Sequence, residues 1–122
     1  ILTLEGFDTA LAEGVMLLTP FSASADDEAT QAFVTAYVDK FNETPNQFAA
    51  DAYDGVYIVY EAIKVSGVTA DMSTADICEA LVAAMPTVTL NGLTGTLSWS
   101  ANGEVSKAPA AYIIEGGKYV VS

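Results

Sequence analysis

Apolar residues fall in short runs near the start of the chain, recur about every four positions in its middle and alternate near its end. "ILTL" reads as a short buried strand that runs straight into Glu5 and Gly6. "FDTALAEG" follows, with Asp8 placed to cap one or two helical turns. "GVMLLTPF" is a second apolar run, stopped by Pro20, and is expected to be a buried parallel strand. Asp26, Asp27 and Glu28 then gather where a helix start favours negative charge. Phe33, Tyr37 and Phe41 repeat every four residues on that helix. Pro45 breaks it, and "QFAADAYDGVYIVYEAIKVSG" predicts a long helix ended by Gly67. Phe48, Ala52, Val56, Val59 and Ile63 make one face of it and Tyr53, Tyr57 and Tyr60 a second, so burial on more than one side is expected. Ser73 and Asp76 have capping-box spacing for a third helix that runs to about Met85, before Pro86.

The last thirty or so residues change to an alternating pattern. Leu97 and Trp99 share a face of "TGTLSWS", Asn102-Gly103 is a hairpin-turn signal, and "APAAYIIEGGKYVVS" predicts a strand pair turning at Gly116-Gly117. The class is α/β. Three successive helices fit a simple doubly wound sheet poorly, because each parallel crossover takes one helix. Some of them are expected to cover a sheet that this chain does not contain. The chain also begins without Met, inside an expected strand, and reads as a piece of something longer.

Charge changes the picture more than size does. The 122 residues carry 16 acids against four lysines, with no arginine and no histidine, for a net charge of −12. Nucleic acid and anionic membrane surfaces are therefore disfavoured as partners. Cys78, the one cysteine, lies in a helical apolar pattern and is expected to be a buried, inert thiol. No apolar run approaches the roughly 20 residues of a membrane span.

Without histidine the usual nucleophilic triad has no base, and a zinc site lacks its ligands. No calcium-loop spacing or phosphate-loop motif occurs either, so no metal and no cofactor are expected. Asp51 and Asp54 share a helix face and are a candidate carboxylate pair for a hydrolase. The simpler reading makes them early-turn acids stabilised by the helix dipole. Glu5 reads either as a solvated loop acid or as a ligand contact, because a carboxylate at the C-terminal end of a strand in an open α/β sheet lies where ligands bind. Gly6 beside it lets the backbone come close to a small molecule, and the acid could accept charge-assisted bonds from an ammonium group.

Three segments, "EGFDTALAEGVMLLTPFS", "FVTAYVDKFNETPNQFAADAYDGVYIVYEAI" and "LTGTLSWSANGEVSKAPAAYIIEGGKYV", resemble in order the C-terminal part of bacterial solute-binding proteins. The family is the branched-chain amino-acid type (leucine/isoleucine/valine-binding) that serves ABC importers. "FAADAYDGVY" and "LTGTLSWSANGE" are its most telling pieces. The resemblance implies a partial periplasmic-binding-protein type I fold, a Rossmann-like lobe with a C-terminal β-hairpin region. Residues 1–20 would hold strands of the ligand-binding lobe, 21–90 helices, some packing on the other lobe, and 91–122 a β-rich end.

The resemblance further implies an extracytoplasmic, non-enzymatic protein, often a lipoprotein, that clamps a small amino acid between two lobes and delivers it to an ABC permease. Glu5 matches the acid that holds the ligand's α-ammonium group, followed by Gly6 and an aromatic, Phe7, beside the cleft. Phe48 matches an aromatic packed on the ligand side chain, and Asp51 is a further candidate facing the cleft. Tyr53 and Asp54 match a "YD" pair with a structural or hinge-supporting role. Groups for the ligand carboxylate would belong to the missing N-terminal lobe, so the piece alone should bind weakly. Two alternatives stay open: a ligand-sensing receptor domain of the same fold, and the carboxylate-pair hydrolase. Bare helix faces would also let the piece associate with itself.

Overall fold

A computed structural model describes residues 2, 4–108 and 110–122. In chain order it holds a 3-10 turn (Thr9–Ala12), β1 (Met16–Leu18), α1 (Glu28–Phe41), α2 (Gln47–Ser66), α3 (Thr74–Ala84) and a second 3-10 turn (Met85–Thr87). Four hairpin-connected or returning strands follow β2 (Thr89–Gly92), namely β3 (Gly95–Trp99), β4 (Val105–Ser106), β5 (Ala111–Glu115) and β6 (Lys118–Val121). The chain divides into two compact units, Ile1–Ala49 with Pro109–Ser122, and Ala50–Ala108.

The first unit is built on an antiparallel sheet in the order β1-β5-β6. Leu17 stands opposite Tyr112, and backbone bonds beyond the strand (Gly14 N–H to Ile114 O, Thr19 N–H to Ala110 O) lengthen the pairing. The expected parallel strand at "GVMLLTPF" is thus corrected. An apolar run signals a strand but not the direction of its partner, and here the partner arrives from almost a hundred residues away. The strand is short, and Met16 and Leu18 are exposed. The expected strand at "ILTL" is corrected as well. Leu2 and Leu4 lie in turn and bend, Phe7 N–H closes a turn on Leu4 O at 3.1 Å, and Leu4 is 66% exposed. Ile1 and Thr3 lie outside the described residues.

Capping follows the sequence closely. Asp8 accepts from Ala10 N–H at the first 3-10 turn. Asp27 accepts from Thr30 N–H at 2.9 Å and starts α1. That bond holds the Asp27 carboxyl below its ordinary value of 3.8. α1 ends at Asn42, whose left-handed φ of 55° closes the last turn on Val38 O. The aromatic stripe of α1 packs on Phe21, edge to face, with ring centroids 5.9 Å apart at Phe33. Gly116 and Gly117 both have positive φ, as a two-residue β5–β6 turn requires.

The second unit pairs β2-β3-β4 antiparallel. Gly92 faces Gly95 across a two-residue turn, and Asn102-Gly103 lies in the β3–β4 turn as expected. Leu97 is buried with Val88, Ala84 and Ala62. Ser73 caps α3, accepting from Asp76 N–H and donating to Asp76 Oδ2. The face of α3 turned inward is Ile77, Ala80, Leu81 and Ala84, at helical spacing. Cys78 lies one step round from it and is exposed, which corrects the expected buried thiol.

α2 is also oriented differently from expectation. Its buried stripe is Ala50, Asp54 and Ala62, with Ile58 half-buried between them. Small side chains there let other backbone come close. Phe48, Val56, Val59 and Ile63, and the three tyrosines, are exposed instead. Tyr53 donates to the Tyr57 hydroxyl at 3.3 Å along that outer face. This bond raises the Tyr53 phenol above its ordinary value, with partial burial and the neighbouring Tyr57 and Asp54 adding to it.

Candidate ligand-binding groove

A cavity of about 820 Å³ opens in the first unit, within the size range of small-molecule sites. Thr19 and Phe21, just after β1, line it, and both are buried. Asn46, Gln47 and Phe48 at the start of α2 form one wall and Tyr119 of β6 contributes to another. The Thr19 hydroxyl lies 2.9 Å from Gln47 Oε1 and 3.1 Å from Phe21 O, two acceptors that share its one proton. Asn46 Oδ1 accepts from the backbone N–H groups of Phe48 (3.0 Å) and Ala49 (3.1 Å). That cap fixes the first turn of α2 and the position from which the Phe48 ring, 71% exposed, projects. Lys118 and Glu43 also line the cavity, so it carries one cation and one anion.

Of the residues expected to touch ligand, Phe48 lines this cavity. Glu5, Gly6 and Phe7 do not. They belong to the turn before Asp8, where Glu5 and Gly6 are exposed and Phe7 is half-buried. Glu5 is therefore a turn residue and not the strand-tip acid that the sequence suggested. Gly6 has φ of +78°, a left-handed turn conformation that suits glycine.

Asp51 and Asp54 both lie in the second unit, where they part ways. Asp51 Oδ1 takes a 2.9 Å ion pair from Lys107. Asp54 is 2% exposed, and its two oxygens accept from Leu93 N–H (2.9 Å), Thr94 N–H (2.9 Å) and the Thr94 hydroxyl (2.7 Å). It builds the β2–β3 turn from a helix, with Gly92 packed against it. A Cβ on Gly92 would stand 2.5 Å from Asp54 Oδ2. Asp54 is enclosed and held by three donors of the turn, and Asp51 is paired with Lys107, so the two do not form the open cleft that hydrolysis needs. Among the described residues no group of three or more His, Cys, Asp or Glu is placed to hold a metal, and no helix is long and apolar enough to cross a membrane.

Sequence reasoning missed Thr19, Gln47 and the Asn46 cap. Asn46 had a readable signal, an Asn just before the first apolar residue of a helix. Thr19 and Gln47 had none, since their bond joins positions 28 residues apart.

A family model described as "Periplasmic binding protein" matches residues 2–117. The chain belongs to the periplasmic binding protein family. Its fold is a partial α/β domain of the periplasmic-binding-protein type I class, with the hairpin region at its C-terminus. It is similar to the solute-binding protein of an ABC transporter from Rhodopseudomonas palustris BisB5, solved with 3,4-dihydroxybenzoic acid. The two are 27% identical with a TM-score of 0.72, over 88% of this chain and 29% of that one. A putative branched-chain amino acid ABC transporter protein from Rhodospirillum rubrum is 26% identical with a TM-score of 0.71, over 96% and 35%. LivJ from Streptococcus pneumoniae, a branched-chain amino acid transporter substrate-binding protein solved with isoleucine, is 28% identical with a TM-score of 0.68, over 91% and 30%. No curated protein matches. The chain spans about a third of the length of the solved structures it resembles.

Proposed function

We propose that this chain is the C-terminal segment of an extracytoplasmic solute-binding component of an ABC importer. It works without catalysis, by closing on a small amino acid, branched-chain or related, and presenting it to a permease. Family membership over residues 2–117 supports this reading, and the exposed Phe48 ring on the groove of the first unit gives it a physical contact. Phe48 supplies apolar surface to the ligand side chain from the groove, and Phe7 adds to it from the turn before Asp8, outside the groove's lining. Glu5 has no hydrogen-bond or ion-pair partner among the described residues, which leaves its carboxylate available to an ammonium group. Gly6 keeps that approach clear, since nothing stands within 4 Å of where its Cβ would be. Groups for the ligand carboxylate are assigned to an N-terminal lobe outside this chain.

A second reading keeps the same site and changes the ligand. It is supported by one relative solved with 3,4-dihydroxybenzoic acid, an aromatic acid that carries no ammonium. A receptor that signals on closure would use the same residues. A thermal-shift screen of the protein from its complete reading frame, against the amino acids and a set of aromatic acids, separates the ligand classes. A ligand that binds only the folded form raises the melting temperature. Stabilisation by leucine or isoleucine supports the first reading and stabilisation by benzoates alone supports the second. No shift with either class contradicts both.

A further inference from the structure

We propose that the Asp51–Lys107 ion pair is a tether that joins the two segments by which the chain passes between its units. The chain leaves the first unit after Ala49 and leaves the second after Ala108. Asp51 is the second residue beyond the first crossing and Lys107 the last but one before the other. They lie 56 residues apart in sequence, yet Lys107 Nζ meets Asp51 Oδ1 at 2.9 Å. The chain has four lysines for 16 acids. Among the described residues one other ion pair forms, Lys64–Glu61, and it spans a single helical turn. The one sequence-distant pair thus stands beside both crossings, at their ends in the second unit.

Each partner is anchored on its own element. Asp51 sits in the second turn of α2, and Lys107 directly follows β4, which β3 holds in register. The ion pair therefore ties the start of a helix to the exit of a sheet and fixes the separation of the outgoing and returning chain there. Its side chains are 26% and 38% exposed, so its energy is modest and salt will screen it. The tether acts as a local restraint and adds little to global stability. This inference does not rest on the ligand proposed above, and its test uses no ligand.

Hydrogen exchange read by mass spectrometry on the protein from its complete reading frame tests it. In Lys107→Met and in Asp51→Asn, amides in peptides covering both crossings should exchange faster, by about two- to five-fold, as loss of a half-exposed pair allows. Amides of β2 and β3 should not change. Lys107→Arg should keep the protection, and the reversed pair Asp51→Lys with Lys107→Asp should restore it. Wild type in about 1 M salt, where the screening length is near 3 Å, should resemble the single variants. The proposal is overturned if neither crossing changes in the single variants, or if only the crossing that carries the substitution changes and the reversed pair restores nothing.

Discussion

Asp54 in the second unit and Glu5 in the first are both carboxylates set among apolar residues, and the structure treats them in opposite ways. Asp54 is enclosed and takes three hydrogen bonds from the 93–94 turn. Glu5 stands on an exposed turn with no partner among the described residues. Burial of a charge is tolerated only when donors satisfy it, so Asp54 is committed to the fold. An exposed acid contributes little to the fold and is free to contribute elsewhere. Stability and binding should therefore separate between the two residues.

The largest stability effect is expected at Asp54. Asp54→Ala strands the buried N–H and hydroxyl of Thr94 and the part-buried N–H of Leu93 and should lower unfolding free energy by about 3 kcal/mol or more in urea titration. A loss under about 1 kcal/mol would mean that water reaches the turn and that the two acids are alike after all. Gly92→Ala should cost about 1–3 kcal/mol, because the added methyl group meets the Asp54 carboxylate. Combined with Asp54→Ala it should cost less than the two losses added, since the clash is then gone.

Asp27→Ala removes the α1 cap and should cost about 1 kcal/mol at neutral pH. Its pH dependence has a definite sign. The folded pKa lies below the ordinary 3.8, so the contribution is present above that value and is lost as pH falls through the lower, folded one. The difference between wild type and Asp27→Ala should shrink in that acid window, and Asp27→Asn should be nearly neutral. Smallest of all is Glu5→Gln, which should change stability by less than about 0.5 kcal/mol.

Local signals carried most of the fold. The caps at Asp8 and Ser73, the turns at Asn102-Gly103 and Gly116-Gly117, and the length of α2 depend on residues close together in sequence, and they appear where the pattern puts them. Strand direction, the orientation of α2 and the exposure of Cys78 depend on partners far away in sequence. In α2 the larger apolar residues suggested the inward face, whereas close approach to the 92–94 turn selected alanines and Asp54. The groove was legible only through Phe48, because the Thr19–Gln47 bond in its lining leaves no trace in periodicity.

Calorimetric titration of isoleucine into the protein from its complete reading frame, wild type against Glu5→Gln, is the most direct test of the proposed binding role. If Glu5 holds the ligand's ammonium in a desolvated contact, affinity should fall by at least about 30-fold, the equivalent of about 2 kcal/mol, with the melting temperature unchanged. Isoleucine binding of equal strength in both proteins would contradict the account.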